Sequence, residues 1–252
     1  MKQVIEQEAA MEKGACRIHY IFHSGFAVET ANHFMVFDYY KDFEKDLLSS
    51  EKIREKKGFI VFSSHGHDDH YNPEILDWSR YNPHIRYIFS SDIWPKIRER
   101  DLANISFMDP YEEKTVDDVS IKTYGSTDIG LSFRVRVDDL DIFHAGDLNW
   151  WHWKDESTEE EMEEAESWFK VEVERLKGEK LDIAFFPVDP RLGDGAHWGG
   201  EYFIQELKPT LFVPMHFGTE YGVTRDFAAK MEGRGVTCVT LNHTGQHFDF
   251  HK

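Results

Sequence analysis

Cysteine is scarce: Cys16 and Cys238 are the only two in 252 residues, far apart and in no metal-ligand spacing. A disulfide framework and a thiolate-built structural zinc clip are therefore excluded, and two free buried thiols in a reducing, cytoplasmic setting are expected. Positive charge is also short. Lys and Arg number 29 against 47 Asp and Glu, for a net charge of −18, so the cationic footprint that polynucleotide binding needs is missing. No apolar run reaches the roughly eighteen residues of a membrane helix, and residues 1–13 are charged, which argues against both a membrane span and a secretory signal. No Pro, Gly or Ser linker interrupts the alternation of strand and helix signals, so one domain over residues 1–252 is expected. Hydrophobic residues at 40% and aromatics at 15% suffice for a sizeable core.

Acid is concentrated in one place. Between Lys154 and Glu166 stand Asp155, Glu156, Glu159, Glu160, Glu161, Glu163, Glu164 and Glu166 against one lysine, a local balance of −7 that leaves −11 for the rest. The run predicts a helical insertion near residues 154–180, solvated at its start and reaching toward Trp168, Phe169, Val173 and Leu176.

The densest signal is His65-Gly66-His67-Asp68-Asp69-His70, directly after the apolar run 58–62. Crowded imidazoles and carboxylates repel or go unpartnered unless a cation satisfies them together. In an extended segment His65 and His67 point to one side, so both can reach one ion. Asn72 as N-cap and Pro73 at the first helical position then predict a helix, which places the ligands on a strand-to-helix loop. Nitrogen and oxygen donors without cysteine fit a catalytic site better than a closed structural one.

This His-x-His-x-Asp-His loop after a strand resembles the signature of the metallo-β-lactamase superfamily. That resemblance implies an α/β (α+β) fold, a four-layer αββα sandwich, with one or two divalent ions. It also implies further ligands from a Gly-Asp pair and a final histidine. Ile142 to Asp147 is an apolar strand ending in Gly146-Asp147, which nominates Asp147 as a bridge; Leu211 to His216 nominates His216. Where the superfamily has Gly-His-Thr this chain reads Gly125-Ser126-Thr127-Asp128, so Ser126, Asp128 or a water fills the place. By carry-over, His65, His67 and Asp147 hold a first ion, and Asp69, His70, Asp147 and His216 a second, more complete one. Unequal affinities are expected. Zinc leads, and manganese or iron also suits the donor set.

More of the chain, from about Arg17 to His216, is similar to the ascorbate-phosphate-lactonase-like branch: His23 to Glu29 followed by Met35 to Asp38, then Phe185 to Asp189, then Gly195 to Glu201. On that resemblance His23 and His197 are candidates for the acid that protonates a leaving group, while Asp69 ligates and orients the attacking water. Asn149-Trp150-Trp151-His152-Trp153 follows Asp147 so closely that some of its rings should wall a pocket, pack a core or form an oligomer contact. Trp150, Asp189 and Trp198 are the pocket residues expected. His144 is either an orienting partner or a satisfied core histidine. The expected activity is hydrolysis of a small-molecule ester, lactone or phosphoester. A phosphodiesterase or nuclease of the same fold is the alternative, as is a metal-binding sensor without catalysis.

Overall fold

The computed structural model describes residues 11–44, 47–97 and 104–252. Most of the charged amino-terminal stretch lies outside them. In the first half, β1 (Ala15–Phe22), β2 (Gly25–Thr30) and β3 (Phe34–Phe37) run antiparallel, and β4 (Phe59–Ser63), β5 (Arg86–Ser90) and β6 (Ile105–Met108) join in parallel. Connections are α1 (Ser50–Glu55), a 3-10 helix over Pro73–Arg80, and α2 (Trp94–Ile97). The second half opens with antiparallel β7 (Glu113–Val116), β8 (Val119–Tyr124), β9 (Ser132–Val137) and β10 (Leu140–His144). Parallel β11 (Ile183–Pro187), β12 (Leu211–Met215) and β13 (Thr237–Cys238) follow, connected through α3 (Glu159–Arg175), α4 (Trp198–Leu207) and α5 (Gly222–Met231). Finally β14 (His247–His251) returns to pair with β1.

Two seven-stranded sheets result, in the orders β14-β1-β2-β3-β4-β5-β6 and β13-β12-β11-β10-β9-β8-β7. Each has three antiparallel joins at one end and three parallel ones at the other, the αββα sandwich expected from the ligand loop. Period-two alternation explains the layers. Along β3, Met35 and Phe37 belong to the core between the sheets, while Phe34 and Val36 join the outer core under α1 and the 3-10 helix. With both faces covered, the parallel strands read as continuous apolar runs. Rings from the two sheets meet in the middle: Phe26 lies 4.5 Å from Phe185, and Phe62 lies 5.2 Å from Phe133.

The acidic run forms α3 as its caps dictate. Thr158 and Glu161 make a reciprocal capping box, and Glu159, Glu160 and Glu161 occupy the first turn, where the helix dipole favours anions. Phe169, Val173 and Leu176 are buried, whereas Trp168 is half exposed. One expectation shifts: after the ligand loop the Asn72-capped helix is of the 3-10 type. At the edge of the second sheet β13 pairs in register only through Thr237 and Cys238. No helix among the described residues is long and apolar enough to cross a membrane. Cys16 and Cys238 are both free.

Candidate metal centre

Chemistry-bearing side chains gather at the carboxyl ends of the strands, where adjoining loops leave a crevice. His65 follows β4, Asp147 follows β10, Asp189 follows β11, His216 follows β12, and His23 caps the β1–β2 hairpin. Backbone strain marks the same places. His23 (φ 57°), Asp38 (φ 42°) and His216 (φ 65°) all occupy the left-handed region that L-residues avoid. Gly146 is there too (φ 53°), and a Cβ on it would stand 2.7 Å from the Ser64 Cβ. The glycine is what lets Asp147 turn in beside the His65 loop.

Two sets of donors converge, each within 4.8 Å: His65, His67, Asp128 and Asp147, then His23, Asp69, His70 and His216. Asp147 links them. Its Oδ1 is 3.1 Å from His70 Nε2 and 3.2 Å from His216 Nε2, and its Oδ2 is 3.5 Å from His65 Nε2. His67 Nδ1 stands 3.0 Å from His65 Nε2 and 3.6 Å from Asp128 Oδ2. Three buried atoms here, His70 Nε2, Asp147 Oδ1 and His216 Nε2, lack a hydrogen-bond partner. Unpartnered buried polar atoms aimed at one another are costly, and a divalent cation among them removes that cost. The donor set, imidazoles and carboxylates at ligating separations, fits such an ion.

A surrounding layer of hydrogen bonds fixes which ring nitrogens are bare. Asp38, fully buried, accepts from Ser64 N and Ser64 Oγ at 2.7 Å each and from His70 Nδ1 at 2.7 Å. Because the Ser64 hydroxyl donates to Asp38, its oxygen is left to accept from His65 Nδ1 at 3.0 Å. Asp189 does the same for His216 Nδ1 at 3.0 Å. In their neutral forms these three imidazoles therefore carry the proton on Nδ1 and turn a bare Nε2 inward, the arrangement of a histidine oriented for a metal. His23 is different. The Gly218 N–H donates to its Nδ1 at 3.2 Å, so a neutral His23 keeps its proton on Nε2, 3.4 Å from Asp69 Oδ2. A protonated nitrogen donates and does not ligate, which sets His23 apart from its neighbours despite its place among them.

Electrostatics follow the same pattern. Burial alone would depress the His216 imidazole, but the Asp147 carboxylate overrides it and raises the pKa to about 9. His70 is likewise raised by Asp147 and Asp38 against its burial. Asp147 is held well below the usual carboxylate range by His70 and His216, although burial opposes this. His65, driven down by burial and by His70, falls to about 4. Without a cation, protons thus occupy Nε2 of His70 and His216, where metal binding would displace them, whereas His65 Nε2 and the Asp147 carboxylate carry none.

Around this cluster opens a cavity of about 520 Å³, lined among others by Trp151, Trp153, Trp168, Arg191 and Thr127. Of the two residues at the position left open in the sequence, Asp128 stands with the first donor set, and Ser126 Oγ accepts from the Asp128 N–H at 3.2 Å, shaping the turn. Each set thus brings four candidate donors together. Trp150 and Trp198 are corrected: they pack on each other at 5.5 Å, Trp150 lies against Phe169, and neither lines the cavity. Trp151 lines it instead, held by its Nε1 donating to Asp147 O at 2.9 Å with its ring 5.4 Å from His216. Asp189 does not line the cavity either; it is buried behind His216. His197 is placed apart from the cluster, with its ring 5.7 Å from Phe227 and Lys230, Glu201 and Asp226 as its charged neighbours, so nothing holds it near the reacting groups. His144 is a satisfied core histidine whose Nε2 reaches Ser24 O at 2.9 Å and whose Nδ1 accepts from Gly146 N. Asp38 and Arg191 carry weight here that the sequence did not announce; the only signal was an acid at the end of an apolar strand.

Known proteins agree with this architecture. A family model described as the beta-lactamase superfamily domain matches residues 17–166. The UPF0173 metal-dependent hydrolase YtkL of Bacillus subtilis is 24% identical over 244 residues, covering 86% of this chain and 93% of that one. Among solved structures, Igni18, a metallo hydrolase from Ignicoccus hospitalis, superposes with a TM-score of 0.67 at 16% identity, covering 94% of this chain and 99% of that one. CmlA, a diiron β-hydroxylase from Streptomyces venezuelae, gives 0.65 at 12% identity, covering 97% of this chain and 55% of that one. With more than half of its length matched by the family model and the donor cluster at the carboxyl ends of its strands, the chain belongs to the beta-lactamase superfamily.

Proposed function

We propose that this protein is a metal-dependent hydrolase of small ester, lactone or phosphoester substrates. One observation carries the reading: the imidazoles of His65, His70 and His216 and the carboxylates of Asp69, Asp128 and Asp147 converge beside an open cavity. Names given to relatives, a metal-dependent hydrolase and a metallo hydrolase, point the same way. Two divalent ions, zinc first and manganese or iron as alternatives, would supply Lewis acidity and make water nucleophilic near neutral pH.

The chain's own residues supply the rest. Asp147 spans the two donor sets and fixes their separation. Asp69, partly exposed at the cavity, is placed to orient the attacking water. His23, with its proton on Nε2, is the donor that returns a proton to the leaving group. Trp151 and Trp153 present flat apolar surface to the substrate. The motif resemblance to the lactonase-like branch is what favours lactones within the class. The two free thiols suit a cytoplasmic enzyme.

The test is a panel of lactones, carboxylic esters and phosphoesters assayed with metal analysis on the same preparation. Turnover that disappears on chelation and returns with zinc, manganese or iron supports the reading. A metal-loaded protein inert on every class refutes it and favours a sensor.

A further inference from the structure

Arg191 is the only lysine or arginine among the residues lining the cavity, and it is held there firmly. Its backbone N–H and its Nε both reach Asp189, with Nε 3.0 Å from Oδ1 and 2.9 Å from Oδ2, and Nη2 also bonds Oδ2. Asp189 is buried, whereas the arginine side chain remains 60% exposed. The guanidinium carbon lies 5.4 Å from the centre of the Trp153 ring, and Trp153 is parallel to Trp151, which touches His216. Nη2 itself stands 3.4 Å from His216 Nδ1. Both of those atoms are donors, so the contact marks proximity to the ion site without bonding across it.

Two sides of the fork are thus occupied, and Nη1 has no protein partner among the described residues. An arginine anchored bidentately on one edge, laid against an aromatic face and open on the other edge is pre-organised for an oxyanion. Of the acids lining the cavity, Asp69, Asp128 and Asp147 belong to the donor sets, and Glu161 is engaged by the Thr158 cap. Glu164 is exposed on α3.

Building on the hydrolase reading, we infer that Arg191 is the specificity element of this site, and that the substrate carries a carboxylate or phosphate arm which Nη1 grips beside the scissile bond. The bond cleaved lies over the donor cluster, and any apolar body lies along Trp151 and Trp153.

The experiment compares wild-type, Arg191→Gln and Arg191→Lys proteins, each loaded with zinc and checked for metal content. Two esters with the same leaving group serve as probes: 4-nitrophenyl hydrogen adipate, which bears a carboxylate, and neutral 4-nitrophenyl hexanoate. The ratio of kcat/KM for the anionic over the neutral ester is expected to fall at least about tenfold in Arg191→Gln, chiefly through KM. An unchanged ratio overturns the inference. Should neither ester turn over, the ester branch of the hydrolase reading fails, and calorimetric titration with adipate and with inorganic phosphate still tests the arginine. Binding weakened about tenfold in Arg191→Gln supports the inference, and the more strongly affected anion identifies the arm. Equal affinities overturn it. Loss of metal from Arg191→Gln with its anion discrimination unaltered also overturns it, because the guanidinium would then serve only to support Asp189.

Discussion

Replacing Asp38 by Asn tests the centre most sharply. The carboxylate is fully buried and accepts three hydrogen bonds, from Ser64 N, Ser64 Oγ and His70 Nδ1. An amide keeps one acceptor, enough for Ser64 N, and turns its NH2 against two donors. His70 then loses the reason to carry its proton on Nδ1, and Ser64 loses the reason to present its oxygen to His65. Both rings are freed to move the proton to Nε2, the nitrogen that has to be bare. Removing the partner that orients a ligating histidine lowers metal affinity about 10- to 100-fold, or roughly 1.4 to 2.7 kcal/mol. Because His65 and His70 belong to different donor sets, Asp38→Asn should weaken both ion positions by this factor.

Asp189→Asn supplies the contrast, since Asp189 orients only His216. It should weaken one position and spare the other. Competition titration against a chelating indicator, with stoichiometry from elemental analysis, reads both, and circular dichroism of the metal-free variants controls for folding. The reasoning fails if Asp38→Asn retains two ions with affinities within about threefold of wild type. It fails equally if both variants lose a single ion in the same manner.

Further predictions concern neighbouring features. Asp128→Ala should leave the first set with three donors and reduce bound metal toward one ion per chain, while Asp128→His should restore the second, as elemental analysis would show. Chelation should lower the melting temperature: an ion present at about a hundredfold its Kd contributes roughly 2.7 kcal/mol, or about 5 to 10 °C for a chain of this size, by calorimetry with and without chelator. Gly130→Ala should destabilise by at least about 2 kcal/mol in denaturant titration, because φ is +83° and the new Cβ would lie 2.2 Å from Ser64 O. His19, pressed down to about 4 by burial and by His247, is neutral in the fold and protonates more readily unfolded. Its contribution is therefore complete above its ordinary value of 6.5 and is lost as pH falls toward 4, by at most about 3 kcal/mol. Metal-free His19→Phe should show a correspondingly flatter acid limb in urea melts.

How far the centre could be read in the chain depends on whether each residue's role is local. His65 to His70 announce themselves because the donors sit in one loop, and Asp147 and His216 because an apolar strand ends in each. The turn from Gly125 to Asp128 could not be resolved the same way: Ser126 and Asp128 are both polar, and only the position of the Asp128 carboxylate beside His67 shows which one stands with the donors. The tryptophans show a different limit. In extended chain Trp151 and Trp153 share one face and Trp150 takes the other, so the sequence pairs the first two; which pair faces the ions depends on where Phe169 and Trp198 pack. Asp38 was hardest, lying 32 residues before the ring it orients. Topology supplies the missing rule. Asp38 follows β3, the parallel neighbour of β4, which leads to His65 and His70; Asp189 follows β11, the parallel neighbour of β12, which leads to His216. In each sheet the ligand hangs from one strand and its orienting carboxylate from the strand beside it, so the layer that makes the nitrogens bare becomes legible only once the strand order is known.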